Sequence, residues 1–232
     1  MSRVTPPDRI EELVRCAARV FIKQGYKRTQ MADVAAALGV AKGTLYLYVE
    51  SKEALFDLVV RYADAPVPFV ERPALPVRTP KAGKTLRYVR DRLAANRIPK
   101  ALESALRRSS AEPRAELEAI VRELYDTLSA NRIGIKLLDS SARDVPELAA
   151  LWFDSTRVGL IELLAQYLGD RFRRKRLEPA PDAAAAARLV LETLVFWAVH
   201  RHWDVAPQPI GDDVARETAV HFVVSALAKE ER

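Results

Sequence analysis

Met31 to Val49 reads MADVAAALGVAKGTLYLYV, and this stretch decides the fold. The two helices of a helix-turn-helix cross steeply over a turn of three or four residues. The first helix needs a small residue where the second packs down on it, and Ala35 is there. The turn needs a residue that tolerates positive φ, and Gly39 is there. Val34, Leu38, Val40, Leu45 and Val49 fall where apolar side chains lock such a pair to a preceding helix. The pattern predicts a short helix over 30–38, with Thr29 as its cap, and a recognition helix over about 41–49.

The predicted recognition helix has a surface suited to a groove. Lys42, Thr44, Tyr46 and Tyr48 point away from Leu45 and Val49 on helical spacing. A cation, a hydroxyl and two phenols can bond phosphates and base edges. Gly43 costs about 1 kcal/mol against Ala inside a helix, which points to close approach by a partner. Lys52 opens the next helix, beside N–H groups that favour an anion. Helix pairs of this kind also occur in proteins that bind no DNA, and the two tyrosines serve equally well as half-buried aromatics.

Working outward, Thr5-Pro6-Pro7-Asp8 carries an N-cap, a Pro at the first helical position and an acid three residues after the cap. Ile10, Leu13, Val14, Ala17 and Phe21 then form one apolar stripe of period 3.6, and Gly25 supplies a left-handed stop. Cys16 beside the stripe reads as a small packing residue. Ser51 caps a fourth helix with Leu55, Leu58, Val59 and Tyr62 on its apolar face. Five of the 14 prolines lie between Pro66 and Pro80, a density that no ordinary helix survives. The organisation expected is a helix-turn-helix domain over 1–65, a Pro-rich connector over 66–80, and a helical domain over 81–232. Helices are predicted over 81–96, 99–109, 113–138, 146–176, 182–203 and 212–229, and Asp144-Val145-Pro146-Glu147 reads as another cap with its acid. No strand alternation is found, so the fold class is all-α.

The chain has 232 residues, 49% of them apolar, 29% charged and only 8 of them Gly, which suits a large helical core and excludes low-complexity disorder. A net charge of +6 permits nucleic-acid binding without demanding it. One cysteine excludes a disulfide scaffold and suits a reducing compartment. No secretory signal is visible in MSRVTPPDRIEELVR. The apolar run 183–199 is interrupted by Arg188 and Glu192, too short and too charged for a membrane helix. A cytoplasmic location without membrane contact is expected.

Residues 9–62 resemble the N-terminal domain of the TetR/AcrR family of bacterial transcriptional regulators. The family pattern has a helix ending in F-x-x-x-G-Y/F, then T-x-x-x-I-A-x-x-A-G-V-S-x-G-T-L-Y-x-Y/H-F-x-S-K-E-x-L. This chain offers Phe21, Gly25, Tyr26, Thr29, Ala35, Gly39, Val40, Gly43, Thr44, Leu45, Tyr46, Tyr48, Ser51, Lys52, Glu53 and Leu55. Val34 stands for the usual Ile, Ala41 for Ser and Val49 for Phe. Ala41 removes a hydroxyl that often meets a phosphate, and Val49 leaves a smaller core plug. The expected DNA-contacting set is Thr29, Gln30, Lys42, Gly43, Thr44, Tyr46, Tyr48 and Lys52. The resemblance implies an all-helical homodimer with a ligand cavity in each subunit, and a repressor that binds a near-palindromic double-stranded operator and is released by a small molecule. A DNA-binding regulator without ligand response, or an activator, is the alternative.

The resemblance covers about a quarter of the chain, so the remainder is read from its residues. The helix over 182–203 is apolar on more than one face and must be covered all round. A dimeric four-helix bundle would cover it, with Leu160, Leu164, Tyr167, Leu191, Val195 and Phe196 as contact residues, and so would a monomer's own core. Tyr88, Leu93, Leu106, Leu124, Tyr125, Trp152 and Phe153 are candidates to line a pocket for an apolar or amphipathic effector, or to serve as plain core. The run Arg171, Arg173, Arg174, Lys175 and Arg176 reads as a solvated helix end. His200 and His202, two apart on a helix, point away from each other, so no metal is expected, and His221 reads as packed. No Ser/His/Asp order, paired carboxylates or Gly-rich phosphate loop is present, so neither an enzyme nor a cofactor is expected.

Overall fold

The apolar stripe of the first helix is the foundation of the N-terminal half. Ile10, Leu13, Val14, Ala17 and Phe21 are all buried, as is Cys16. The computed structural model describes residues 8–95, 98–108 and 110–229, so the expected Thr5 cap lies outside the described residues. The helices are α1 (Asp8–Gln24), α2 (Met31–Leu38), α3 (Lys42–Leu45), α4 (Lys52–Tyr62), α5 (Lys84–Ala95), α6 (Lys100–Arg107) and α7 (Pro113–Ala130). They continue with α8 (Arg132–Ala142), α9 (Pro146–Ala149), α10 (Val158–Arg173), α11 (Ala183–Ala198) and α12 (Asp212–Leu227). The fold is all-α, with no strand among the described residues and a single isolated bridge between Val49 and Val77.

Two compact units form, whose described parts come from Met1–Arg92 with Ile133–Trp152, and from Leu93–Arg132 with Phe153–Arg232. In the first, α1 packs on α2 and α4, and α2 packs on α3. Gly25 ends α1 at φ 81° and Gly39 ends α2 at φ 70°, the left-handed stops that the sequence predicts. A side chain at Gly25 would also meet the Asp144 carboxylate at 2.5 Å. Asp144 does not cap α9, whose cap is Val145; it accepts instead from Lys27 N at 3.2 Å. The start of α8 is held by Asp64, whose carboxylate accepts from Ile133 N and Gly134 N at 2.9 and 2.7 Å.

The Pro-rich segment 66–80 is free of helix, as expected, but it is a strap laid on the first unit. Phe69 is buried, its ring lies 4.8 Å from that of Tyr62, and its N–H donates to the buried Glu11 carboxylate at 2.8 Å.

In the second unit α7, α10, α11 and α12 form the core, with α6 packed on α7 and α10. Three long helices of the sequence reading are interrupted. The span 113–138 breaks at Asn131, whose side-chain amide donates to Thr127 O at 2.8 Å. The span 146–176 becomes α9, a π-helical stretch Ala150–Arg157 and α10. The span 182–203 ends as α11, followed by a 3-10 turn His200–Trp203. The basic run is not a uniformly solvated face. Arg171 is buried, pairs with Glu116 at 2.8 Å and Asp170 at 2.6 Å, and donates to Ala105 O at 2.8 Å. A buried guanidinium persists only when its donors are met in this way. His221 is exposed rather than packed.

His202 lies against two guanidiniums, with Arg132 Nη1 2.8 Å from its Nε2. Arg132 and Arg201 both pair with Asp212. Burial and the charges of Arg132 and Arg201 hold the imidazole below its ordinary pKa, outweighing Asp212. The unfolded chain therefore takes up this proton first on acidification, and stability present above about pH 6.5 is lost as pH falls. The His202 ring signal in an NMR titration should move below pH 6.5, and a midpoint at or above that value would refute the assignment. For the strap, Glu11→Ala leaves a buried N–H unpaired and should cost about 1–3 kcal/mol in urea unfolding, with Glu11→Gln costing less.

Candidate nucleic-acid interface

The interface is built from α2, its turn and α3. Gln30, not Thr29, caps α2, and its N–H donates to the Asp33 carboxylate at 2.8 Å. Thr29 is 1% exposed and its hydroxyl donates to Gly25 O at 2.7 Å, so it fastens the α1–α2 corner. Val40 N donates to Ala35 O at 3.0 Å across the turn, as a small residue at 35 allows.

The recognition helix is shorter than 41–49. It runs only Lys42–Leu45 and continues as a turn through Tyr48. That change of backbone reverses one assignment. Tyr48, expected to point outward, is 3% exposed and packed inward beside Val49. Tyr46 is 43% exposed, and Lys42 and Gly43 are exposed with Thr44 half-buried. A side chain at Gly43 would meet no atom within 4 Å, so packing inside the chain does not demand glycine there. Leu47, 52% exposed, was missed by the sequence reading because it was assigned to a continuous helix. An exposed apolar side chain here can meet a thymine methyl.

Lys52 is half-buried and engaged within the chain. Its ammonium donates to Tyr26 O and Lys27 O, each at 3.2 Å, and sits 4.7 Å from the centre of the Tyr26 ring. Tyr26 in turn packs on Phe21 and Phe56 and donates to Glu53 at 3.4 Å. Burial, then the Glu53 charge, pushes the Tyr26 phenol up to about 12. Glu53, at the start of α4, is held below its ordinary value, first by a backbone N–H. Gln30, Lys27 and Arg28 are exposed on the same unit, and Arg28 Nε donates to Gln24 O at 2.7 Å.

The remaining candidates separate. Tyr88 and Trp152 belong to the first unit, and Leu93, Leu106, Leu124, Tyr125 and Phe153 to the second. Tyr88 lies under the Arg61 guanidinium at 4.1 Å and accepts from Arg92 at 3.2 Å. Trp152 Nε1 is buried without a hydrogen-bond partner among the described residues. Leu124 and Tyr125 are buried, and the Tyr125 hydroxyl donates to Trp197 O at 3.3 Å; Leu93, Leu106 and Phe153 are half-buried. None of the seven lines the open cavity of about 600 Å³ between α6 and α7, whose walls include Ala101, Ser104, Arg108, Ala115 and Glu116. Of the dimer candidates, Leu164, Tyr167 and Leu191 are buried within the single chain, Leu160 and Val195 are half-buried, and Phe196 is exposed. Leu189 on α11 and Val214 and Phe222 on α12 are also exposed apolar side chains. No cluster of three or more metal-binding side chains occurs among the described residues, and no helix there is long and apolar enough to cross a membrane.

Residues 13–59 match the family model of bacterial regulatory proteins, tetR family. The N-terminal helix-turn-helix is thus a tetR-family domain. A stretch of 56 residues is 38% identical to the HTH-type transcriptional repressor KstR2 of Mycolicibacterium smegmatis, covering 24% of this chain and 27% of that protein. A stretch of 52 residues is 35% identical to the uncharacterized HTH-type transcriptional regulator YerO of Bacillus subtilis, covering 22% of this chain and 18% of that protein. The matched stretches span about a quarter or less of the length of these curated relatives. The whole fold is shared more widely. The ketosteroid transcriptional regulator KstR2 of Mycobacterium tuberculosis superposes with a TM-score of 0.56 at 17% identity, over 96% of each chain. The probable transcriptional regulatory protein RHA5900 superposes with a TM-score of 0.57 at 20% identity, over 94% of this chain and 98% of that one.

The Lys52 geometry yields a direct test. Lys52→Met keeps the stem and removes the charged donor from two carbonyls, so it should cost about 1–2 kcal/mol in urea unfolding. Unchanged stability would show that the ammonium contributes nothing to the α1–α4 junction.

Proposed function

We propose that this chain is a dimeric transcriptional repressor that reads a near-palindromic operator and responds to a small apolar or amphipathic ligand. The observation that carries the reading is the exposed set Lys42, Gly43 and Tyr46, with Thr44 half-buried, on a tetR-family helix-turn-helix. Lys42 neutralises a phosphate, while Thr44 and Tyr46 offer hydroxyls to base edges or backbone. Two such heads in one dimer would enter successive major grooves about 34 Å apart.

The dimer reading is supported by Leu189 and Phe196 on α11 and by Val214 and Phe222 on α12, large apolar side chains left exposed on two helices that pack together. Contiguous exposed apolar surface marks association sites, and a dimer would cover these side chains. The ligand reading is supported by the cavity between α6 and α7, where alanines make an apolar wall and Arg108 and Glu116 give it charged groups. A ligand acts by binding one conformation of the dimer better than the other, which shifts the population able to hold DNA. The same reading makes this a DNA-binding cytoplasmic protein.

Fluorescence anisotropy on tiled DNA from around the chain's own gene, with non-specific competitor and a salt series, tests the proposal. One tile should bind tightly, with a log–log salt slope of about −0.9 per phosphate contact. Equal weak binding to every tile would refute an operator in that region. Lys42→Ala and Tyr46→Ala should weaken the specific complex while leaving the dimer intact by sedimentation, and loss of folding in both would remove their assigned roles.

A further inference from the structure

The strap is bonded to the recognition segment itself. Val77 N donates to Tyr48 O at 2.8 Å, and Glu50 N donates to Val77 O at 3.0 Å, a parallel pairing of Val77 with Val49. Thr79 N donates to the Glu50 carboxylate and Thr79 Oγ1 donates to Ser51 Oγ, both at 2.8 Å. Four hydrogen bonds thus hold residues 77–79 alongside 48–51. Pro76 and Pro80 flank these residues and restrict the backbone further.

Side chains alternate along an extended backbone. Val77 is half-buried and Thr79 turns back to Ser51, so Arg78 between them points outward. It is exposed and has no ion pair among the described residues. Paired extended chains lie about 5 Å apart, which puts the Arg78 backbone next to the link between exposed Tyr46 and the start of α4. The charges near it in sequence are Arg72, Lys81 and Lys84 with Glu71, and the Glu50 carboxylate is engaged by Thr79 N.

We propose that this strap is a second DNA-contacting element, in which Arg78 meets the phosphate backbone at the edge of the major groove that α3 enters. The inference rests on the DNA-binding reading above. A guanidinium presents a fork that matches phosphate oxygens, and a prolyl-flanked, hydrogen-bonded backbone aims it with little entropy left to lose. Such a contact carries no sequence information. It raises affinity for operator and unrelated DNA alike and fixes how the head sits on the duplex.

The test is anisotropy with the full chain, on the operator tile and on an unrelated duplex, across a salt series. Arg78→Ala should weaken both complexes by about tenfold and make the salt slope shallower by about 1.8, which is about 0.9 for each of the two heads of the dimer. Arg78→Lys should recover most of the slope, and Arg78→Glu should weaken binding further than Ala. Thr79→Val keeps the charge but frees the strap from Ser51, and should weaken binding in the same direction by less. Circular dichroism melts of the Arg78 variants should match the parent, because the side chain is solvent-facing. If Arg78→Ala binds like the parent while Lys42→Ala does not, the strap is a passive structural element and the inference fails alone. If the parent shows no DNA binding at all, the DNA-binding reading fails with it.

Discussion

Tyr48 and Val49 are buried at the end of a recognition helix only four residues long. A helix of that length has no stability of its own, because forming the first turn fixes several dihedrals for one hydrogen bond. Its direction is set by what anchors its ends. At the front the anchor is the α2 turn, through Gly39 and the bond from Val40 N to Ala35 O. At the back it is the inward packing of Leu45, Tyr48 and Val49, none of them more than 3% exposed. Tyr48 O and Glu50 N, on either side of Val49, bond the backbone of Val77, and the strap follows along 48–51. Release of this plug would remove the rear anchor of the recognition turn.

The parts of the fold that were legible in the sequence are those decided within one or two helical turns. The stripe from Ile10 to Phe21, the stops at Gly25 and Gly39, the Ser51 cap and the Pro-rich break all depend on neighbours close in sequence. Most of what was not legible depends on partners far away. Asp144 reads locally as a helix cap, but Lys27 N, 117 residues distant, takes its carboxylate. Lys52 reads as an anion site, yet the carbonyls at 26 and 27 hold its ammonium. Arg171 sits in a run of cations, and only the approach of Glu116 and Ala105 O makes it a core residue. Tyr48 failed for another reason. Its outward direction assumed a helix continuing to 49, and a turn replaces that helix after Leu45.

In the later part of the chain the interruptions matter more than the helices they separate. The π-helical stretch Ala150–Arg157 widens the backbone just before α10, so helical phase is not carried from α9 into α10. A single 3.6-residue period drawn over 146–176 therefore assigns faces wrongly on one side of the stretch. Within α10, Leu164 and Tyr167 lie on a face that the chain covers by itself, whereas Leu189 on α11 and Phe222 on α12 remain in solvent.

The carboxylates of Asp64 and Asp144 tie α8 and its following turn to the DNA-binding head, although 40 residues of the second unit intervene between Arg92 and Ile133. The head is therefore assembled from chain made at two separate times. A ribosome adding roughly 5–20 residues per second delivers α1 to α4 and the strap several seconds before the residues that bond Asp64 and Lys27. During that interval the Ile133 and Gly134 N–H groups that Asp64 will accept do not yet exist. Completion of the head thus waits for a later part of the chain, and its synthesis is ordered in time with that of the second unit.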